Sequence, residues 1–232
     1  MAAPLDAAVI VFPGSNGDRD LAETLARAGF KPRFVRSSEP LPAGVALVGL
    51  PGGFSYGDYW RAGMLASQAR AVQDLPAFVA GGGLVIGICN GFQILVEADL
   101  LPGALTYNSP PGFRHRWLEV EVREACASPW FYGIPAGTRW RWPMAHGEGN
   151  YFHPEGVKAL TGRIPLTYTK NPNGSLGDAA AVLDPTGRVL GVMPHPERAS
   201  EPDVGGVDGM HLFLAAHRGL TEQHANVAGR TS

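Results

Sequence analysis

The chain is poor in cysteine and lysine, and it has no long apolar run. Only Cys89 and Cys126 occur among 232 residues, in no paired pattern, so neither a disulfide framework nor a Cys/His zinc site is expected. That usage fits a reducing, cytoplasmic setting. The lysines are Lys31, Lys158 and Lys170, none in a glycine loop. No G-x-x-x-x-G-K-[ST] segment occurs either, so nothing points to nucleotide-triphosphate chemistry by the chain itself. No stretch of about 20 apolar residues exists, so no segment is expected to span a membrane. The first six residues lack the basic segment and apolar core of a signal peptide. A net charge of −2 gives no electrostatic case for nucleic acid or an anionic membrane as partner.

What is present describes a globular protein. Apolar residues make up 45% and charged residues 17%, enough for a sizeable core. The length suits a single domain over 1–232, with a polar tail over 221–232 that is expected to fray. The 31 glycines and 20 prolines are spread along the chain and mark many tight loops. Apolar runs over 7–12, 33–35, 45–50 and 84–88 read as strands, and helical patterns fall between them over 18–28 and about 60–80. A further helix opens at Phe92. Such alternation predicts an α/β fold: an open, mostly parallel central sheet with helices on both faces. The second half is less regular. Strands are expected over 117–122, 138–142, 166–169, 179–183 and 189–193, the last two forming a hairpin, with a closing helix over about 205–218.

Cys89 stands in Gly87-Ile88-Cys89-Asn90-Gly91, directly after the apolar Leu84-Val85-Ile86. A strand that ends in G-x-nucleophile-x-G and turns at once into a helix is a nucleophile elbow. The flanking glycines let strand and helix come close, and the thiol sits at a helix amino terminus that stabilises negative charge on sulfur. A lone cysteine is more often a small buried hydrophobe, but the paired glycines reverse those odds. Cys126 has no such setting and reads as inert. In a parallel sheet, ligands bind outside the carboxyl ends of the strands. That edge places the Pro51–Asp58 loop beside Cys89.

A cysteine nucleophile needs a base and a group to orient it. Two His-x-Glu pairs compete: His195 with Glu197, and His146 with Glu148. His195 is favoured because it directly follows an apolar strand, and Glu197 would share its face in an extended segment. His115, His153, His211, His217 and His224 sit in polar or helix-like contexts and read as surface or structural. For an oxyanion, one donor is the N–H of Asn90. The second is either Gly52-Gly53 or, equally, that pair is a plain tight turn.

The segments GICNGFQIL, LPGGFSYGD and MPHPE resemble the class I, triad-type glutamine amidotransferases. FPGSNGD, PGGFSYGDYWRAG, AHGEGNY, NPNGSL and GVMPHPERA narrow the resemblance to the glutaminase subunits of phosphoribosylformylglycinamidine synthases, over residues 9 to 200. The resemblance implies a flavodoxin-like sheet with Cys89 as nucleophile, His195 as base and acid, and Glu197 as its orienting partner. It also implies that Gln93 contacts the substrate glutamine, that Gly53 and Asn90 are the oxyanion donors, and that His146 and Glu148 lie near the site or a partner contact. Gly17 stands where this family often has cysteine. Family membership further implies ammonia delivery to a large ATP-dependent synthetase subunit, often with a small third subunit. ATP and Mg²⁺ would then act on that partner, with no cofactor or metal in this chain, and the pathway would be de novo purine biosynthesis. A stand-alone cysteine amidohydrolase or protease of similar fold is the alternative; a non-catalytic binding module is a third reading, disfavoured by the intact Cys89, His195 and Glu197 set.

Overall fold

The computed structural model describes residues 4–123 and 128–228. The first half alternates strand and helix as the apolar pattern predicts. β1 (Leu5–Val11), α1 (Asp18–Arg27), β2 (Phe30–Arg36) and β3 (Leu47–Leu50) lead to three short helices, α2 (Met64–Ser67), α3 (Arg70–Gln73) and α4 (Leu75–Ala80). β4 (Leu84–Ile88) then runs into α5 (Asn90–Glu97). The single helix expected over about 60–80 is therefore broken. Ala69 takes an extended ψ of 146°, which separates α2 from α3. Pro76 starts α4 afresh, since it cannot donate to a preceding turn.

The second half contributes β5 (Ala104–Thr106), β6 (Arg114–Val122), β7 (Arg139–His146), β8 (Asn150–Phe152), β9 (Leu166–Tyr168), β10 (Ala179–Leu183), β11 (Val189–Val192) and α6 (Met210–Ala228). The main sheet has nine strands in the order β2-β1-β3-β4-β11-β10-β9-β6-β7. The first five are parallel to one another. β10 reverses, β9 restores the direction, β6 reverses again and β7 restores it. Only β10 and β6 thus run against the rest. β5 and β8 form a separate two-stranded sheet that the sequence pattern did not reveal.

Helices cover both faces, and glycines show how closely. A Cβ on Gly49 would meet the Leu21 side chain of α1 at 2.7 Å, whereas one on Gly87 would meet Leu95 of α5 at 2.5 Å. Leu50 pairs with Gly87 across β3 and β4, and Gly49 and Leu50 point to opposite faces. So α1 and α5 lie on opposite sides. The closing helix expected over about 205–218 runs over Met210–Ala228. Buried Leu220 anchors it, and Gln223 accepts a 3.2 Å hydrogen bond from Arg188. Cys126 and residues 229–232 lie outside the described residues. Among the described residues no helix is long and apolar enough to cross a membrane.

Candidate active site

β4 delivers Cys89 to the carboxyl edge of the sheet at a sharp turn. Its φ of 51° and ψ of −102° are strained for a residue with a Cβ, at a typical cost of about 1–3 kcal/mol. The strain is held in place by close packing. The Cys89 N–H bonds the Val192 carbonyl of β11 at 2.8 Å. A Cβ on Gly91 would lie 2.1 Å from the Leu50 carbonyl oxygen, and one on Gly87 2.5 Å from that of Gly91. Strand and helix therefore meet backbone to backbone, which only glycines at both positions allow. Cys89 is 7% exposed, and its Sγ lies 3.8 Å from the Ala145 carbonyl oxygen.

β11, the neighbour of β4, delivers His195 to the same edge. Its N–H bonds the Pro143 carbonyl at 2.8 Å, tying it to β7. The expectation of an extended segment after His195 is corrected: Pro196–Arg198 is a tight 3₁₀ turn. That turn still folds Glu197 back, and its Oε1 lies 2.6 Å from His195 Nδ1. Both side chains are buried, at 2% exposure each. Burial opposes the imidazolium, but the Glu197 charge and the Cys89 sulfur outweigh it and raise His195 well above the ordinary imidazole range. His195 Nε2 makes no conventional hydrogen bond, and the same is true of Glu197 Oε2. A Cβ on Gly52 would touch both the His195 ring, at 2.9 Å, and the Cys89 Cβ, at 3.7 Å. Gly52 thus occupies the narrow gap beside both groups.

The Gly52-Gly53 loop is braced against the loop after β1. Asn16 and Gly17 donate to the Gly52 carbonyl and Phe54 donates to that of Gly14. Gly53, at φ 146°, would carry its Cβ 2.8 Å from Ser15 Cα. The Ser15–Gly53 bridge uses the residues on either side of Gly53, which leaves the Gly53 N–H out of the pairing. Asn90 opens α5, so its N–H is one of the helix's orphan donors.

Cys89, His195, Gly53, Gln93, His146 and Glu148 all line one cavity of about 230 Å³. His115, His153, His211 and His217 do not line it. The two His-x-Glu pairs differ physically. His195 is bonded to its glutamate, whereas His146 Nδ1 pairs with Asn108 Oδ1 at 3.0 Å. Burial first, then the charges of His195 and Arg114, push His146 down to about 3, so it is neutral. Gln93 is held from both ends: its Oε1 accepts from Asn90 Nδ2 at 3.0 Å, and its Nε2 donates to the Glu148 carbonyl at 2.8 Å.

Sequence reasoning did not single out Asp58, Asn16, Arg198 or Phe113 as lining residues. An acidic residue closing a glycine loop at the carboxyl edge was a usable signal for Asp58. Nothing in the sequence marked Asn108, which sets the orientation of His146. Burial and the Glu148 charge raise Asp58 to about 6, against the lowering effect of its bond from Asn90.

Residues 5–204 match the family described as the CobB/CobQ-like glutamine amidotransferase domain. Phosphoribosylformylglycinamidine synthase subunit PurQ of Jannaschia sp. (strain CCS1) is 49% identical over 215 residues, covering 91% of this chain and 96% of the relative. The subunit of the same name from Cereibacter sphaeroides is 48% identical over 221 residues, covering 93% and 99%. In three dimensions the chain matches one in the structure of PurLQS from Thermotoga maritima, with a TM-score of 0.86 and 40% identity over 93% of this chain and 98% of that one. With such identity over nearly its whole length, the chain belongs to the PurQ subunits of phosphoribosylformylglycinamidine synthase, a family of glutamine amidotransferases.

Proposed function

We propose that the chain hydrolyses glutamine to glutamate and ammonia and passes the ammonia to a synthetase that converts formylglycinamide ribonucleotide to formylglycinamidine ribonucleotide. The observation that carries this reading is the shared cavity of Cys89, at a strained elbow, and His195, held 2.6 Å from buried Glu197. Cys89 sulfur, as thiolate, attacks the side-chain carboxamide carbon. The Gly53 and Asn90 N–H groups bind the oxyanion. His195 gives a proton to the departing nitrogen, so the C–N bond breaks and ammonia leaves a glutamyl thioester. Water, giving its proton to His195, then attacks the thioester and releases glutamate and the thiolate. Glu197 holds the imidazole with Nδ1–H toward itself and Nε2 free for these transfers. Gln93 contacts the substrate.

Ammonia is a nucleophile only while unprotonated, so the product must leave without meeting bulk water. Likeness to a chain of the Thermotoga maritima PurLQS assembly supports a large synthetase and a small third subunit as partners. ATP and Mg²⁺ act on the synthetase. The cavity mouth also fits a covered face: Phe54 and Phe113 line it, and Tyr59 and Trp60 stand 69% and 80% exposed on the adjoining loop. The test is ammonia release from glutamine, with and without synthetase. Release that rises on adding synthetase supports the reading; equal rates, or none in either case, overturn it.

A further inference from the structure

One end of the cavity carries acceptors without matching donors. Asp58 and Glu148 both line it, and among the described residues neither has an ion-pair partner. The nearby Arg61 is committed to Glu97, and Arg198 to Asp20. Asp58 receives one hydrogen bond, from Asn90 Nδ2 at 3.2 Å. Its backbone sits at φ 53°, between the equally left-handed Tyr56 and Trp60, so strain fixes where this carboxylate stands.

His146, on the same wall and 3% exposed, supplies an independent sign of a missing donor. Asn108 donates through Nδ2 to the His146 and Gly112 carbonyls, at 2.9 and 3.0 Å. Its Oδ1 accepts from the Gly149 N–H at 3.1 Å and so must also accept from His146 Nδ1. That fixes the proton on Nδ1 and leaves a bare lone pair on Nε2, a buried atom with no partner. An unfilled buried acceptor is destabilising, and an incoming N–H relieves it.

The wall also sets a distance. Ala145 oxygen lies at Cys89 Sγ and Glu148 oxygen at Gln93 Nε2. Three residues of chain span at most about 10 Å. A glutamine whose carboxamide meets Cys89 therefore brings its α-carbon within reach of the acceptor-rich end.

We propose that Asp58 and Glu148 form the subsite for the α-ammonium group of the substrate, with His146 Nε2 as a further acceptor. The proposal rests on the glutaminase reading and extends it: these side chains make the enzyme select an α-amino acid amide over a plain carboxamide. They are specificity residues and take no part in the bond-breaking steps.

The test compares glutamine with glutaramate, the same molecule without its α-amino group, using the complex of this chain with its synthetase. The unmodified complex is expected to favour glutamine by kcat/KM. Asp58→Asn and Glu148→Gln are each expected to lower kcat/KM for glutamine about 10–100-fold, chiefly through KM, and to change glutaramate turnover by no more than about threefold. Synthesis driven by added ammonium salt monitors fold and docking and should not change. Equal losses on both substrates in both variants, or no preference in the unmodified complex, would overturn the subsite while leaving the glutaminase standing. Absence of glutamine hydrolysis by the unmodified complex would overturn both.

Discussion

Cys89 and His195 reach one cavity from neighbouring strands, and each is held in an unusual state by its surroundings. Cys89 owes its position to a backbone angle that only tight packing sustains. Cys89→Ala should lower glutamine-dependent synthesis at least about 10³-fold while ammonium-driven synthesis by the complex survives, as steady-state assays of both would show. Loss of both activities would mean that the sulfur is structural. For His195 the consequence is a pH dependence of folding. Burial works against its charge, but Glu197 and the Cys89 sulfur hold the proton above the ordinary value of 6.5. Above that pH the folded state binds more protons than the unfolded chain. The stabilisation is therefore complete below pH 6.5 and is lost as pH rises toward the elevated native value. Melting temperature should fall with alkaline pH, and Glu197→Gln, which removes the opposing charge, should flatten that slope. Parallel slopes for the two proteins, measured by calorimetry, would refute the linkage.

β4 and α5 are joined by a turn whose glycines leave no room for a side chain. Gly91→Ala would place a methyl group 2.1 Å from the Leu50 carbonyl oxygen. Backbone cannot swing aside as a flexible side chain can, so the helix start must shift. The expected cost is about 1–3 kcal/mol, read as a melting point lower by several degrees, together with reduced turnover because Cys89 moves too. An unchanged melting point with full activity would show that the close approach is not needed. This element was legible in the sequence because its constraints are local: an apolar run, two glycines and a helix start within eight residues. β4 and β10 match the expected strands residue for residue for the same reason. The pairing of β5 with β8 was not legible, since three-residue strands show no period and their partner lies over forty positions away. The helix expected over 60–80 failed because apolar spacing survives across the breaks at Ala69 and Pro76. In the site, His195 and Glu197 were legible from spacing. Asp58 lay inside a quoted loop without being singled out, since its setting comes from burial in the fold and from Glu148, ninety positions on.

Across the whole molecule, the sheet gathers Cys89 and His195 at one edge, beside an opening where Phe54 and Phe113 are exposed. Phe54 and Phe113 line the opening and Tyr59 and Trp60 are exposed on the adjoining loop, while the cavity behind holds Cys89. Exposed aromatic side chains in such a cluster cost solubility unless a partner covers them. A partner seated there would also close the opening and keep ammonia from water, so one contact serves both binding and containment. Trp60 is the most exposed of the four, at 80%, so truncating it removes little that holds the isolated chain together. A buried tryptophan at an interface centre, by contrast, contributes about 2 kcal/mol or more to association, equivalent to roughly 30-fold in affinity. Trp60→Ala should therefore leave the melting temperature of the free chain unchanged and shift the synthetase concentration needed for half-maximal glutaminase activity upward by about that factor. At saturating synthetase the maximal rate should recover, because no group that touches glutamine has been altered. A titration curve superimposable on that of the unmodified chain, with Tyr59→Ala giving the same result, would place the synthetase on another face.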